Sequence, residues 1–166
     1  MALIPDPDDL PYRPCVGVML FNRKGLVFAG SRIDREGGEA WQMPQGGVDD
    51  GEDLREAAMR ELYEETGVRK AEIVAESRSW LSYDLPHELL GKALKGKYRG
   101  QTQKWFLARF KGTDKDIRLD VHEPEFEAWR WVAVEDLPGM IVPFKKAIYA
   151  ALVDEFGPLV RKFARS

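Results

Sequence analysis

Glu61, Glu64 and Glu65 are three carboxylates within five consecutive residues, and Glu52 lies a short way upstream. On a helix, residues three and four apart share a face, so Glu61 would meet both Glu64 and Glu65. Like charges at that spacing repel and weaken the helix unless a cation sits among them. An oxygen-only cluster suits Mg²⁺ or Mn²⁺, hard ions that keep some of their waters and bind substrate phosphates. The competing reading is a solvated acidic face, with Arg55 and Arg60 as ordinary surface partners worth about 0–1 kcal/mol each.

Local signals place these acids on a helix. Leu54, Ala57, Ala58 and Leu62 have helical spacing. Asp53 and Glu56 stand in the Asp-x-x-Glu relation of a capping box, and Gly67 supplies a left-handed stop. The spacing therefore predicts a helix over Leu54–Thr66, with Glu52 outside it and able to fold back. A second helix is expected over Phe144–Phe156, from Phe144, Ala147, Ile148, Ala151, Leu152 and Phe156. Strand-like stretches fall at Cys15–Phe21, Leu26–Ala29, Glu72–Ser82, Gln103–Phe110 and Trp129–Val134. Strands mixed with two separated helices imply an α/β class, a mixed sheet held between helical layers. Asp84–Gly100, with Pro86 and several lysines and glycines, reads as a long basic loop, and loops of that length are usually functional or disordered.

Composition bounds the rest. At 166 residues the chain is expected to form a single domain, 1–166. Hydrophobic residues at 44% against 32% charged give a globular balance. No apolar run approaches the roughly 20 residues of a membrane span, and the N-terminus carries acids and prolines where a signal peptide would carry bases. A soluble, cytoplasmic protein is expected. The lone Cys15 excludes an intramolecular disulfide and reads as buried filler in an apolar strand. A net charge of −3 argues against coating duplex DNA by bulk charge. That total conceals a net of −6 over Gly46–Glu76 and +6 over His87–Lys111.

The full spacing decides between the acidic-face readings. Gly46, then Glu52, Arg60-Glu61-Leu62, Glu64-Glu65 and Gly67-Val68 match every fixed position of the Nudix box, here 46–68. Tyr12-Arg13-Pro14, Trp41 to Gly47, Trp80 to Pro86, Gly100 to Phe106 and Pro124 to Trp131 extend the likeness. The chain thus resembles the Nudix hydrolases, in particular the bacterial RNA pyrophosphohydrolase branch, which includes the invasion-associated and plant-type diadenosine polyphosphate hydrolases. The glycine- and lysine-rich GKALKGKYRG segment is where it departs most from the RNA branch.

The resemblance implies a Nudix fold and hydrolysis of a 5′-polyphosphate chain, assisted by Mg²⁺ (or Mn²⁺), with more than one ion present once substrate is bound. It implies Glu61 and Glu65 as central metal ligands, Glu64 as a further ligand or base, and the Gly46 carbonyl as an extra ligand. Glu52 would pair with Arg60 and position the carboxylates. Glu125, rather than its neighbours Glu123 and Glu127, would be the acid from outside the box. Arg32 and Lys145 match positions near the phosphates, and Arg13 and Gln101 positions near the nucleotides. Tyr83 and Phe144 are candidate stacking surfaces, Phe144 equally a core residue. Trp41, Trp105, Trp129 and Trp131 read as packing, and His87 and His122 as surface residues. The expected substrate is a nucleotide or the 5′ end of single-stranded RNA, converted from triphosphate to monophosphate; no duplex DNA or membrane partner is expected. Asymmetric hydrolysis of diadenosine tetra- or pentaphosphate is the rival activity. A non-catalytic nucleotide reader would have lost a box carboxylate, and all are present here.

Overall fold

The structure is a computed structural model describing residues 4–34 and 40–165. Its regular elements, in chain order, are β1 (Tyr12–Phe21), β2 (Leu26–Arg32), β3 (Trp41–Gln42), β4 (Gln45–Gly47), α1 (Leu54–Thr66), β5 (Ala71–Glu76), β6 (Leu81–Asp84), β7 (Gly100–Phe110), β8 (Phe126–Ala133) and α2 (Lys146–Ala164). The strands form one eight-stranded sheet. β1 and β7 run parallel from Tyr12↔Gly100 to Phe21↔Arg109, and the other pairings are antiparallel. The sheet is therefore mixed, as expected.

β1 is buried without interruption from Cys15 to Phe21, the pattern of a strand covered on both faces. Its alternate residues serve two cores. Met19 and Phe21 join Trp105, Leu107, Leu152 and Phe156 on the α2 side. Val16, Val18 and Leu20 join Phe106, Ala108, Ala57, Ala58 and Leu62 on the α1 side. Period-2 side-chain alternation along β1 and β7 thus places one helix on each face, the α/β/α layering that the sequence implied.

Several boundaries differ from expectation. The stretch Glu72–Ser82 is two strands, β5 and β6, both antiparallel to β7. The chain bends between them because Ser77 is tied to Trp105: its N–H donates to Trp105 O at 2.8 Å, and its Oγ accepts from Trp105 N at 3.1 Å. β8 starts at Phe126, three residues earlier than the aromatic pattern suggested. α2 starts after a 3-10 turn, Pro143–Lys145, so Phe144 lies outside the helix. At its other end α2 continues through Pro158 to Ala164, because Val160 and Phe163 prolong its apolar face. The basic loop carries two 3-10 turns, His87–Leu89 and Ala93–Gly96. In the second, Leu94 and Lys95 take left-handed backbone at φ 55° and 60°, a costly conformation for residues with a Cβ.

Cys15 is buried, and burial pushes its thiol up to about 11, which fits inert packing. Among the described residues no helix is long and apolar enough to cross a membrane. Residues 1–3, part of the N-terminal stretch weighed as a targeting signal, lie outside the described residues.

Candidate active site

α1 has the bounds its sequence predicts. The Asp53 carboxylate accepts from Glu56 N–H at 3.1 Å, and Gly67 closes the helix in the left-handed region at φ 75°. Ala57, Ala58 and Leu62 anchor the helix to the sheet, and β4 is held against β1 by the pairs Cys15↔Gly47, Val16↔Gly46 and Gly17↔Gln45. Helix and strand bring Gly46 directly against the Glu61 carboxyl group; a Cβ at this position would overlap it. Gly47 makes similar room for the Arg13 guanidinium.

Arg60 organises the acids. Its Nε and Nη2 grip the two oxygens of Glu52 at 2.8 and 2.9 Å, and Nη2 also donates to the Gly47 carbonyl at 2.9 Å. Its Nη1 reaches Glu61 at 2.9 Å and Glu64 at 3.2 Å. Glu52 itself accepts from the Asp49 N–H at 3.0 Å, and these donors, Arg60 first, hold its carboxyl down at about 2. Glu61 moves the other way, raised chiefly by burial. Glu65 is 4% exposed and is raised well above the usual range, first by burial and then by the charges of Glu61 and Glu125. It accepts from the Gln45 N–H at 3.1 Å, which offsets only part of that rise.

These acids border a cleft of about 260 Å³. It gathers Gly46, Glu61, Glu64, Glu65, Glu125, Arg13, Arg32, Tyr83, Gln101, Phe144 and Lys145, all of them site residues expected from the sequence. Arg60 and Glu52 stand behind the lining, in contact with it through Glu61 and Glu64. Of the three acids near β8, Glu123 and Glu125 line the cleft and Glu127 does not; Glu125 is the one whose charge acts on Glu65. Arg32 pairs with Asp34 and reaches Gln42 Oε1 at 3.4 Å. Lys145 is buried with its Nζ 5.4 Å from the Tyr83 ring centre and 5.9 Å from that of Phe144.

Tyr83 and His122 differ from expectation, and Phe144 combines its two readings. Tyr83 is only 7% exposed and packs against Phe144 with ring centres 5.6 Å apart, so little of its face is open for stacking. Phe144 is half-buried and both borders the cleft and packs on the α2-side core. His122 is exposed, as expected, yet it lines the cleft with Nε2 3.9 Å from Glu64. Sequence reasoning also missed Gln42, Gln45 and the apolar group Leu85, Leu89, Ala93 and Leu94. Only the adjacency of Gln42 and Gln45 to Gly46 could have signalled the first two. Of the four tryptophans expected to pack, Trp105 is buried, while Trp129 and Trp131 half-cover the α1-side core. Trp41 packs on the other core beneath Arg130, whose guanidinium lies 4.0 Å from the ring centre.

Among the described residues no three acids, histidines or cysteines already converge on one point as a metal cage. The donor set nevertheless fits a hard divalent cation. It is made of oxygens, and Glu65 is a carboxylate raised first by burial and then by two like charges. Such a group is stabilised by a cation within reach.

The NUDIX domain family matches residues 11–152. An RNA pyrophosphohydrolase of Novosphingobium aromaticivorans is 62% identical over 154 residues, covering 91% of this chain and 96% of that protein. One from Rhizobium meliloti is 54% identical over 164 residues, covering 93% and 98%. Among solved structures, a MutT protein from Methanosarcina mazei aligns with a TM-score of 0.65 at 21% identity, covering 89% of this chain and 96% of that one, a likeness of fold. A C. elegans Ap4A hydrolase binary complex aligns at 0.59 and 26% identity, covering 92% and 95%. With most of its length matched, and with relatives above half identity along nearly all of it, the chain belongs to the Nudix family.

Proposed function

We propose that this protein is a divalent-cation-dependent hydrolase of 5′-polyphosphate ends, converting 5′-triphosphate RNA to 5′-monophosphate RNA in the cytoplasm. The observation that carries this reading is one cleft holding both a buried, mutually repelling carboxylate set (Glu61, Glu65) and cations suited to phosphate (Arg32, Lys145). The names of the most similar relatives support the RNA end as substrate.

Glu61, Glu65, Glu64, Glu125 and the Gly46 carbonyl would hold Mg²⁺ or Mn²⁺, with more than one ion once substrate is bound. Bound there, the metal offsets phosphate charge and lowers the pKa of the attacking water. The chain's own groups do the rest. Arg32 and Lys145 bind phosphate oxygens, and Arg13 and Gln101 contact the nucleotide end. The apolar group at Leu85, Leu89 and Leu94, with the edges of Tyr83 and Phe144, offers a surface to a base. Glu64 and Glu125 are more open to water than Glu65, so one of them takes the proton as water attacks phosphorus and the bridging P–O bond breaks. Glu52, through Arg60, keeps the carboxylates in place. The net negative charge and a site built for one charged end favour a single strand over a duplex.

Side-by-side initial rates with Mg²⁺ on triphosphorylated RNA and diadenosine tetraphosphate test the assignment. RNA is expected to be the faster substrate; a large excess for the dinucleotide transfers the protein to the rival activity. Glu61→Gln and Glu65→Gln are each expected to lower kcat/KM by about a hundredfold or more. Wild-type rates in either variant would defeat the metal mechanism.

A further inference from the structure

On β7, Gln101, Gln103 and Trp105 are alternate residues on one face of the sheet, and each is at most 2% exposed. The Trp105 indole lies across Gly17, its pairing partner on β1, where a Cβ would stand 2.5 Å from the ring. From there its Nε1 donates to Gln103 Oε1 at 2.8 Å. Gln103 Nε2 in turn donates to Gln101 Oε1 at 2.8 Å, and lies 3.4 Å from Gln45 Oε1.

An indole N–H can only donate, whereas a glutamine amide has one accepting end and one donating end. Trp105 therefore fixes Gln103 with its oxygen toward the indole and its nitrogen toward Gln101. Gln101 must then meet that nitrogen with its own oxygen, which leaves its NH₂ as the end free to face a ligand. Gln101 lines the cleft, and among the described residues its Nε2 has no acceptor. A donor that opens onto a cleft is satisfied by whatever acceptor enters it, and an anionic oxygen makes the stronger, charge-assisted bond.

We infer that Gln103 is a positioning residue: held by Trp105, it orients Gln101 so that the cleft presents N–H donors, and not a carbonyl, to a phosphate oxygen at the nucleotide end of the substrate. This rests on the proposed 5′-polyphosphate substrate for its ligand, but the orientation itself follows from the donor and acceptor order. A reversed amide would set a partial negative charge against the phosphates.

Gln103→Glu tests it, because its ionised carboxylate accepts from Trp105 and also toward Gln101, forcing the Gln101 amide to turn over. KM for triphosphorylated RNA should rise about tenfold, with a much smaller change in kcat. In a Gln101→Leu background the same substitution should cost about twofold or less, since the effect acts through Gln101. An equal loss in both backgrounds, or no loss in the single variant, overturns the inference. Gln103→Met provides a neutral arm if the buried charge prevents folding; it should raise KM, and again only when Gln101 is present. A readout independent of turnover is the Gln101 side-chain amide signal in NMR with added inorganic tripolyphosphate. It should shift in the wild type and stay put in the Gln103 variants. Equal shifts in wild type and variants, or none in the wild type, would refute the orientation. A wild type that hydrolyses no 5′-polyphosphate yet shows the expected shifts would instead sink the substrate reading alone.

Discussion

The five N–H donors of Arg60 are divided among Glu52, Glu61, Glu64 and the Gly47 carbonyl. Lysine has three donors and no fork, so it could not reproduce this division. Glu52 is the partner that holds the guanidinium at two points, and its carboxyl is kept at about 2 against an ordinary 4.5. A proton therefore binds the unfolded chain more readily than the folded one. Glu52 contributes stability above about pH 4.5, and that contribution is lost as pH falls toward 2. Glu52→Gln should accordingly lower Tm at pH 6–7, with the gap to the wild type closing between pH 4.5 and 2. A gap that is constant with pH would refute this assignment. Because Arg60 would lose its orientation, the variant should also lose about 10- to 100-fold in activity.

At the scale of elements, the site depends on a junction between α2 and the segment entering the box. Tyr149 of α2 is buried, and its Oη accepts from the Met43 N–H at 2.8 Å, just before β4. Burial raises its phenol, so it remains neutral. Tyr149→Phe would leave a buried backbone N–H without a partner and should cost about 1–3 kcal/mol in denaturant unfolding. A smaller loss would mean that the amide finds another acceptor. α1 was legible in the sequence to the residue, because its cap at Asp53, its apolar stripe and its Gly67 stop are local signals. The break at Ser77 was not legible, because it depends on hydrogen bonds to Trp105 across the sheet. β3 and β4 were missed too, since segments of two and three residues carry no periodicity and are defined by the strands they pair with.

For the molecule as a whole, the near-zero net charge resolves into an acidic helix at the cleft and a basic loop beside it. Lys92, Lys95 and Lys97 surround the turn that brings Ala93 and Leu94 to the cleft. On the RNA reading proposed above, these lysines would follow the backbone of the strand beyond its first nucleotides. Replacing all three with alanine should weaken binding of a triphosphorylated oligonucleotide. The salt dependence of that binding should fall by about 0.7 for each phosphate that a lysine no longer neutralises. Rates on diadenosine tetraphosphate, which is shorter, should change little. Equal losses on both substrates would place the loop's contribution at the phosphates or the fold instead.

The sequence by itself determined the family, the bounds of α1 and the acids that α1 carries, because capping, helical spacing and a gapped motif act over a few residues. It also implied the α/β layering, through strand-like stretches mixed with two separated amphipathic helices. The tertiary structure alone decided that Glu123 borders the cleft beside Glu125, that Tyr83 is largely covered, and that His122 borders the cleft. It also decided which way the Gln101 amide faces. Each of these depends on groups far apart in the chain, and contacts made across a sheet leave no periodic mark in the residues that make them.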